Sequence, residues 1–271
     1  MHNEVDGVLL EVNENTSCFH ILTLSDDLKD LIRSCFQEIC HGSVVAEHRQ
    51  SFLYNYKSTL VGFLDRYSSK PKAIQIGLIG ELLAHILLTK VACGYEASSA
   101  YFNLEEKSIK KGFDILLCNI EDNSIWITEV KSGELHKNKD HNATTKELLH
   151  EAKRDLNKRL NEQEPQYWIN AINHVRATVS EAKDYKKALI QSLDTDFGSK
   201  TISGEASSKD KNVILVSNIF STTEKLIDLS SAESINEDIA KKKMFKNSCI
   251  VSIQKSTYQK VVDFLTEESQ S

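Results

Sequence analysis

Lys-Gly-Phe-Asp-Ile-Leu-Leu-Cys-Asn-Ile-Glu-Asp-Asn-Ser-Ile-Trp-Ile-Thr-Glu-Val-Lys-Ser-Gly occupies positions 111–133. It reads as two short apolar strands around a polar turn. Phe113 to Ile120 and Ile125 to Lys131 are rich in aliphatic, aromatic and β-branched residues, and Glu121-Asp122-Asn123-Ser124 is turn chemistry. Three polar side chains interrupt the apolar pattern: Asp114 in the first strand, Glu129 and Lys131 in the second.

Hairpin geometry decides whether those three meet. A two-residue turn at Asp122-Asn123 sets Asp114 opposite Lys131, with Glu129 as the diagonal neighbour at ~7–8 Å. A slip of two residues sets Asp114 opposite Glu129 and keeps all three on one face, whereas a slip of one turns Asp114 away. Both faces of the hairpin carry apolar residues, so the sheet is expected to be covered on both sides.

Two close carboxylates repel, so one holds a proton or both share a cation. Oxygen-rich sites suit Mg²⁺, which needs only one or two protein carboxylates and completes its shell with water and phosphate oxygens. A neighbouring lysine can orient or deprotonate the attacking water and neutralise charge developing on a phosphate. An exposed strand with an ordinary Asp–Lys cross-strand pair is the competing reading. The apolar residues around Glu129 and Lys131 weigh against it, since charges in buried strands need a partner or a metal.

The chain has 271 residues, 40% of them hydrophobic and 27% charged, with a net charge of −6. That composition suits a protein with a sizeable core and argues against attraction of nucleic acid over the whole surface. We find no apolar run of membrane-spanning length and no secretory signal, so a cytoplasmic protein without membrane contact is expected. The six cysteines lack a framework of spacings and read as reduced core thiols; Cys35 and Cys40 are too poorly spaced to form a metal site. There is no P-loop, dinucleotide fingerprint, zinc motif or internal repeat. Any ATP-driven step must therefore come from a partner.

Residues 1–70 read as an N-terminal lobe or extension: strands at Gly7–Val12 and Cys18–Leu24, a helix capped by Ser25 through about Cys40, and a second helix over about Ala46–Tyr67 that uses Phe52 and Leu53. Residues 71–271 read as the main domain. Its first helix, Lys72–Val91, shows a stripe Ile74, Leu78, Glu81, His85, Leu88. Glu81 on that stripe calls for a partner or a metal and is a third candidate carboxylate, while His85 reads as a core histidine. Gly77 and Gly80 allow close approach of another backbone. Residues 95–104 read as a strand. A helix over about Ala143–Gln163 carries Lys146, Lys153, Arg154, Lys158 and Arg159 among Glu147, Glu151 and Asp155. Either its lysines track a phosphate backbone, with Lys153 the first choice and Lys146 and Lys137 beside it, or the helix is laced with pairs such as Glu151–Arg154 and Asp155–Arg159. Tyr167–Leu193 reads as one long amphipathic helix, residues 194–211 as a mobile loop, and the remainder as strand, helix, strand and closing helix.

This order, with Asp114, Glu129-Val130-Lys131 and Glu81, resembles the PD-(D/E)xK nuclease superfamily over about residues 72–165, with Gly-Phe-Asp in place of Pro-Asp. The combination Gly80-Glu81-Leu82-Leu83, Gly112-Phe113-Asp114 and Ile125 to Lys131, with the overall length, resembles the small, HamA-like nuclease subunit of the Hachiman anti-phage defence system. The resemblance implies a restriction-endonuclease-like α/β fold: a mixed sheet of α-β-β-β-α-β order flanked by helices, with an N-terminal strand and helix extension. It implies Asp114, Glu129 and Glu81 as metal ligands for Mg²⁺ or Mn²⁺, Lys131 as the catalytic lysine, DNA as substrate, and a superfamily-2 helicase as restraining partner. A non-catalytic module docked on a DNA motor is the alternative.

Overall fold

Alternation in the central strands decides how the layers are built. In Asn212–Phe220 every residue is buried: Ile214, Val216 and Phe220 join one apolar cluster, and Val213 and Leu215 join the other. A strand that is apolar on both faces needs cover on both, and helices supply it. The computed structural model describes residues 2–46, 51–101 and 112–270.

Seven strands form one sheet: β1 (Val8–Asn13), β2 (Thr16–Ile21), β3 (Tyr95–Ala97), β4 (Ile115–Asn119), β5 (Ile125–Glu134), β6 (Asn212–Phe220) and β7 (Asn247–Lys255). Their spatial order is β1-β2-β7-β6-β5-β4-β3. β2, β7, β6 and β5 run parallel, and antiparallel pairs close both ends. The helices are α1 (Asp26–His41), α2 (Ser43–Ala46), α3 (Tyr56–Ser68), α4 (Lys72–Ile86), α5 (His141–Leu160), α6 (Gln166–Thr178), α7 (Tyr185–Gln191), α8 (Ser199–Ile202), α9 (Leu229–Lys242) and α10 (Gln259–Gln270). Residues of α1, α3, α4 and α10 cover one face, and residues of α5, α6, α7 and α9 the other.

The α/β class stands, and α4-β3-β4-β5-α5-β6 gives the expected α-β-β-β-α-β order, with α6 to α8 inserted before β6. β1 and β2 of the first 70 residues belong to the same sheet, because β2 pairs with β7. α1 is capped as its sequence directs: the Leu28 N–H donates to Ser25 Oγ at 3.2 Å.

Several expectations need correction. The second N-terminal helix starts at Tyr56, not Ala46; Phe52 and Leu53 precede it and are exposed, and residues 47–50 lie outside the described residues. The strand expected over 95–104 is confined to Tyr95–Ala97, and 102–104 lie outside the described residues. The proposed stripe of α4 is not its buried face: Ile74 is exposed, whereas Ile76, Ile79, Gly80 and Leu83 are buried. From Leu82 on, the helix is enclosed on all sides and no single stripe defines it. Lys72–Val91, which ends in a π-helical turn at Leu87–Val91, is in fact long and apolar enough to cross a bilayer, with a mean hydropathy of 1.5. It is mostly buried and packs along β5 inside the fold, as a core helix.

The long helix after Pro165 is two. Val179 adopts an extended conformation between α6 and α7. The stretch expected as a loop over 194–211 forms a π-helical turn at Ser192–Gly198, α8 and a 3₁₀ turn at Ser208–Asp210. It is held inward by Thr201, whose hydroxyl accepts from the Trp168 indole at 2.8 Å, and by Ser208, which donates to the Met244 carbonyl at 2.8 Å. Thr201 and Ser208, satisfied in this way, are buried anchors of a Ser- and Gly-rich segment that otherwise stays largely at the surface.

Candidate active site

The β4–β5 turn is longer than two residues. The Asn123 N–H donates to the Asn119 carbonyl at 2.9 Å, Asn123 takes a left-handed φ of 56°, and the Asn119 N–H donates to the Ser124 carbonyl at 2.9 Å. Asn119 and Asp122 side chains accept from the Glu121 and Ser124 N–H groups. The resulting pairing, Ile115 with Thr128, is the register slipped by two. Asp114, one residue before the start of β4, therefore stands level with Glu129, and its Oδ2 accepts the Val130 N–H at 2.8 Å. The alternation that sends Ile125 and Ile127 toward α5 sends Glu129 and Lys131 the same way.

Glu129 is 1% exposed. Burial first, and then the charge of Asp114, raise its pKa; Arg159 and Lys131 pull it back. Arg159, near the end of α5, places Nη1 2.7 Å from Glu129 Oε2 and Nη2 3.5 Å from Oε1. Lys131 Nζ lies 3.3 Å from Glu129 Oε1, 2.9 Å from Asp155 Oδ2 and 3.7 Å from Glu151 Oε1. Burial pulls the Lys131 ammonium pKa down, but Asp155 and Glu129 outweigh it and the net shift is upward. Glu151, Asp155 and Arg159 follow one another at intervals of four residues, so they form one stripe of α5. That stripe borders the helix's buried row Ala152, Leu156, Leu160, which seats it against the sheet.

Glu81 approaches from the other side of the sheet, on α4. Tyr101 connects it to the pair. This partly buried tyrosine donates its hydroxyl to the Leu78 carbonyl at 2.9 Å, and burial, Glu81 and Asp114 together raise its pKa. Close seating of α4 depends on Gly80: a Cβ there would fall 1.8 Å from Ser132 Oγ and 2.7 Å from Ser132 Cβ on β5. Asn218 of β6 donates to the Gly80 carbonyl at 3.4 Å.

The structure thus brings Asp114, Glu129 and Lys131 together, and Glu81 and Asp114 both lie near enough to Tyr101 to raise its pKa. Among the described residues, no group of three His, Cys, Asp or Glu side chains converges as a ready metal cage. The donor set nonetheless suits a hard cation. Two carboxylates meet at one place, and Glu129 is already served there by two positive side chains. Lys153 is not presented to solvent: it is buried and paired with Asp238 of α9 at 2.8 Å, so the first choice for a phosphate contact is withdrawn. Lys146 is half-buried and Lys137 exposed. The pairs expected within α5 are also replaced. Asp155 is bound by Lys131 and by its neighbour Arg154, and Arg159 by Glu129. Sequence reading therefore missed Arg159, Asp155 and Tyr101 as parts of the site. The four-residue spacing of 151, 155 and 159 beside the apolar row of α5 was the available signal.

His85 is buried as expected of a core residue, and its two ring nitrogens have no hydrogen-bond partner. Burial pushes its pKa down to about 3, so the ring is neutral. The six cysteines are free.

Fold and site together define an α/β protein with a nuclease-like core, whose acidic pair and lysine lie on adjacent strands. A family model for HamA matches residues 2–268. The chain belongs to the HamA family, a component of the multi-protein Hachiman anti-phage defence system. No curated protein matches it.

Proposed function

We propose that this chain is a Mg²⁺-dependent deoxyribonuclease, the cytoplasmic effector of its defence complex, restrained by a helicase partner that supplies the ATP-driven step. The observation that carries this reading is the placement of Asp114 level with Glu129, with Lys131 two residues along the same strand. Asp114 and Glu129 would hold the ion, and Glu81 would reach it directly or through water. Mn²⁺ suits the same oxygen donors. Bound there, the ion supplies Lewis-acid polarisation of the scissile phosphate and lowers the pKa of a coordinated water.

The chain's own groups do the rest. The Val130 N–H fixes one oxygen of Asp114 at 2.8 Å. Lys131 keeps its charge in this setting, since Asp155 and Glu129 favour the ammonium. It therefore serves as donor and counter-charge, orienting a water and neutralising negative charge as it develops on the phosphate. The apolar packing of α5 against β5 keeps the local dielectric low around these groups, which strengthens each interaction.

Supercoiled plasmid incubated with the purified chain and its helicase partner, with Mg²⁺ or with EDTA, tests the reading. Metal-dependent cleavage lost in Glu129→Ala and in Lys131→Ala is the expected result. Absence of cleavage and of metal binding in the wild type, alone and with the partner, would favour the competing reading, a module that docks on a DNA motor without cutting.

A further inference from the structure

Both charged side chains that β5 brings to the site, Glu129 and Lys131, are engaged by one helix, α5. Both oxygens of Glu129 face Arg159, and one of them also faces Lys131. Lys131 in turn faces Asp155 and Glu151. A guanidinium set against a buried carboxylate with two N–H groups directed at its two oxygens does what a bound cation would do: it offsets the repulsion from Asp114 and makes burial of Glu129 affordable. The same stripe of α5 supplies a negative partner to the lysine. The helix therefore presents charges complementary to the strand, cation to carboxylate and carboxylate to cation.

We propose that Arg159 is the resting counter-ion of Glu129, a built-in latch that must leave before a divalent metal can bind there, with Asp155 fastening Lys131 in the same closed state. The proposal rests on the nuclease reading, because it concerns the ion that reading requires. Three observations support it. Glu129 has two oxygens, and the arginine fork covers both, so a metal and Arg159 compete for the same lone pairs. Arg159 is not sealed in: its side chain is 22% exposed, against 2% for Glu129. Its guanidinium already lies 6.0 Å from the Tyr167 ring centroid in this closed state, so a second partner for the head group is within reach. The rest of α5 is pinned by Lys153–Asp238 and by its buried row, so the release needs only side-chain movement near the helix end.

The consequence is an affinity effect. When only a fraction of molecules has the site open, apparent metal affinity falls by that fraction. A latch that keeps the open form at or below about 10% of molecules weakens binding by about tenfold or more.

Calorimetric titration of Mn²⁺ into the full chain, without DNA, reads this directly. Wild type, Arg159→Gln, Arg159→Lys and Arg159→Gln/Glu129→Gln are compared, with unfolding monitored by circular dichroism with and without Mn²⁺. The expected result is a gain in affinity of about tenfold or more for Arg159→Gln. A smaller gain is expected for Arg159→Lys, which keeps the charge and loses the fork, and the gain is abolished when Glu129 is also replaced. Should Arg159→Gln fold poorly, Arg159→Lys and the Mn²⁺-induced rise in its melting temperature carry the test. Unchanged or weaker binding in both arginine variants, with binding lost in Arg159→Gln/Glu129→Gln, would overturn the latch and leave the nuclease site standing. No Mn²⁺ binding in any variant, including wild type, would overturn both.

Discussion

Replacing Gly80 by alanine probes how α4 is seated and, through the next residue, Glu81. An added Cβ falls 1.8 Å from Ser132 Oγ and 2.7 Å from Ser132 Cβ. Rotating the serine hydroxyl relieves the first contact but not the second, so the helix has to retreat from β5. Overpacking that displaces a whole helix falls in the upper part of the usual range, about 2–3 kcal/mol. Alanine recovers about 1 kcal/mol through its higher helix propensity. The net expectation is a loss of about 1–2 kcal/mol, or about 2–8 °C in melting temperature for a chain of this size. Thermal unfolding by circular dichroism measures it, alongside Ser132→Gly and the double variant. Ser132→Gly removes both opposing atoms, so the alanine should cost less in that background, with a coupling of about 0.5–3 kcal/mol. Plasmid cleavage should fall in Gly80→Ala more than stability alone explains, because Glu81 moves with the helix. A melting temperature equal to or above wild type, or costs that simply add in the double variant, would refute the packing argument.

Lys255 on β7 is 1% exposed, and burial, with Lys260 nearby, pulls its pKa down to about 8 from 10.5. The unfolded chain therefore binds this proton more readily, and the group's destabilising effect is full below pH 8 and fades as pH rises toward 10.5. Lys255→Met should stabilise by about 3 kcal/mol at pH 7 and by only about 1 kcal/mol at pH 10, an advantage measured by denaturant unfolding at both pH values; an advantage independent of pH would refute it. Among the cysteines, Cys18, Cys35, Cys40 and Cys118 are buried, and burial raises the thiol pKa of each. Ellman's reagent should modify Cys93 first in the native protein and reach these four only on unfolding.

The hairpin was legible in outline and its register was not. Apolar runs on both sides of a polar turn announced two strands, and the chemistry of Asp114, Glu129 and Lys131 placed them on one face. The choice between registers depended on Asn119 and Asp122 accepting backbone N–H groups and on Asn123 taking a left-handed φ, and an Asp-Asn pair fits a two-residue turn as readily as a four-residue one. The charges of α5 misled for a different reason. Local spacing favours pairs such as Asp155–Arg159, but burial of Glu129 and Lys131 on a neighbouring strand offers those side chains a less hydrated partner, 30 residues away in sequence for Arg159. The loop reading of residues 194–211 failed likewise, because Trp168 and Met244 supply its anchors from elsewhere in the chain.

The attachment of β2 to β7 has a bearing on biosynthesis. Thr16–Ile21 finds its parallel neighbour only at Ile250–Lys255, and β7 also covers the open edge of β6. Contacts so distant in sequence form late and slowly. On the ribosome, the acidic pair of the β4–β5 hairpin emerges well before the strand that joins the two parts of the sheet. A nascent chain stopped short of residue 247 would expose two bare strand edges, which favour aggregation over a smaller working core.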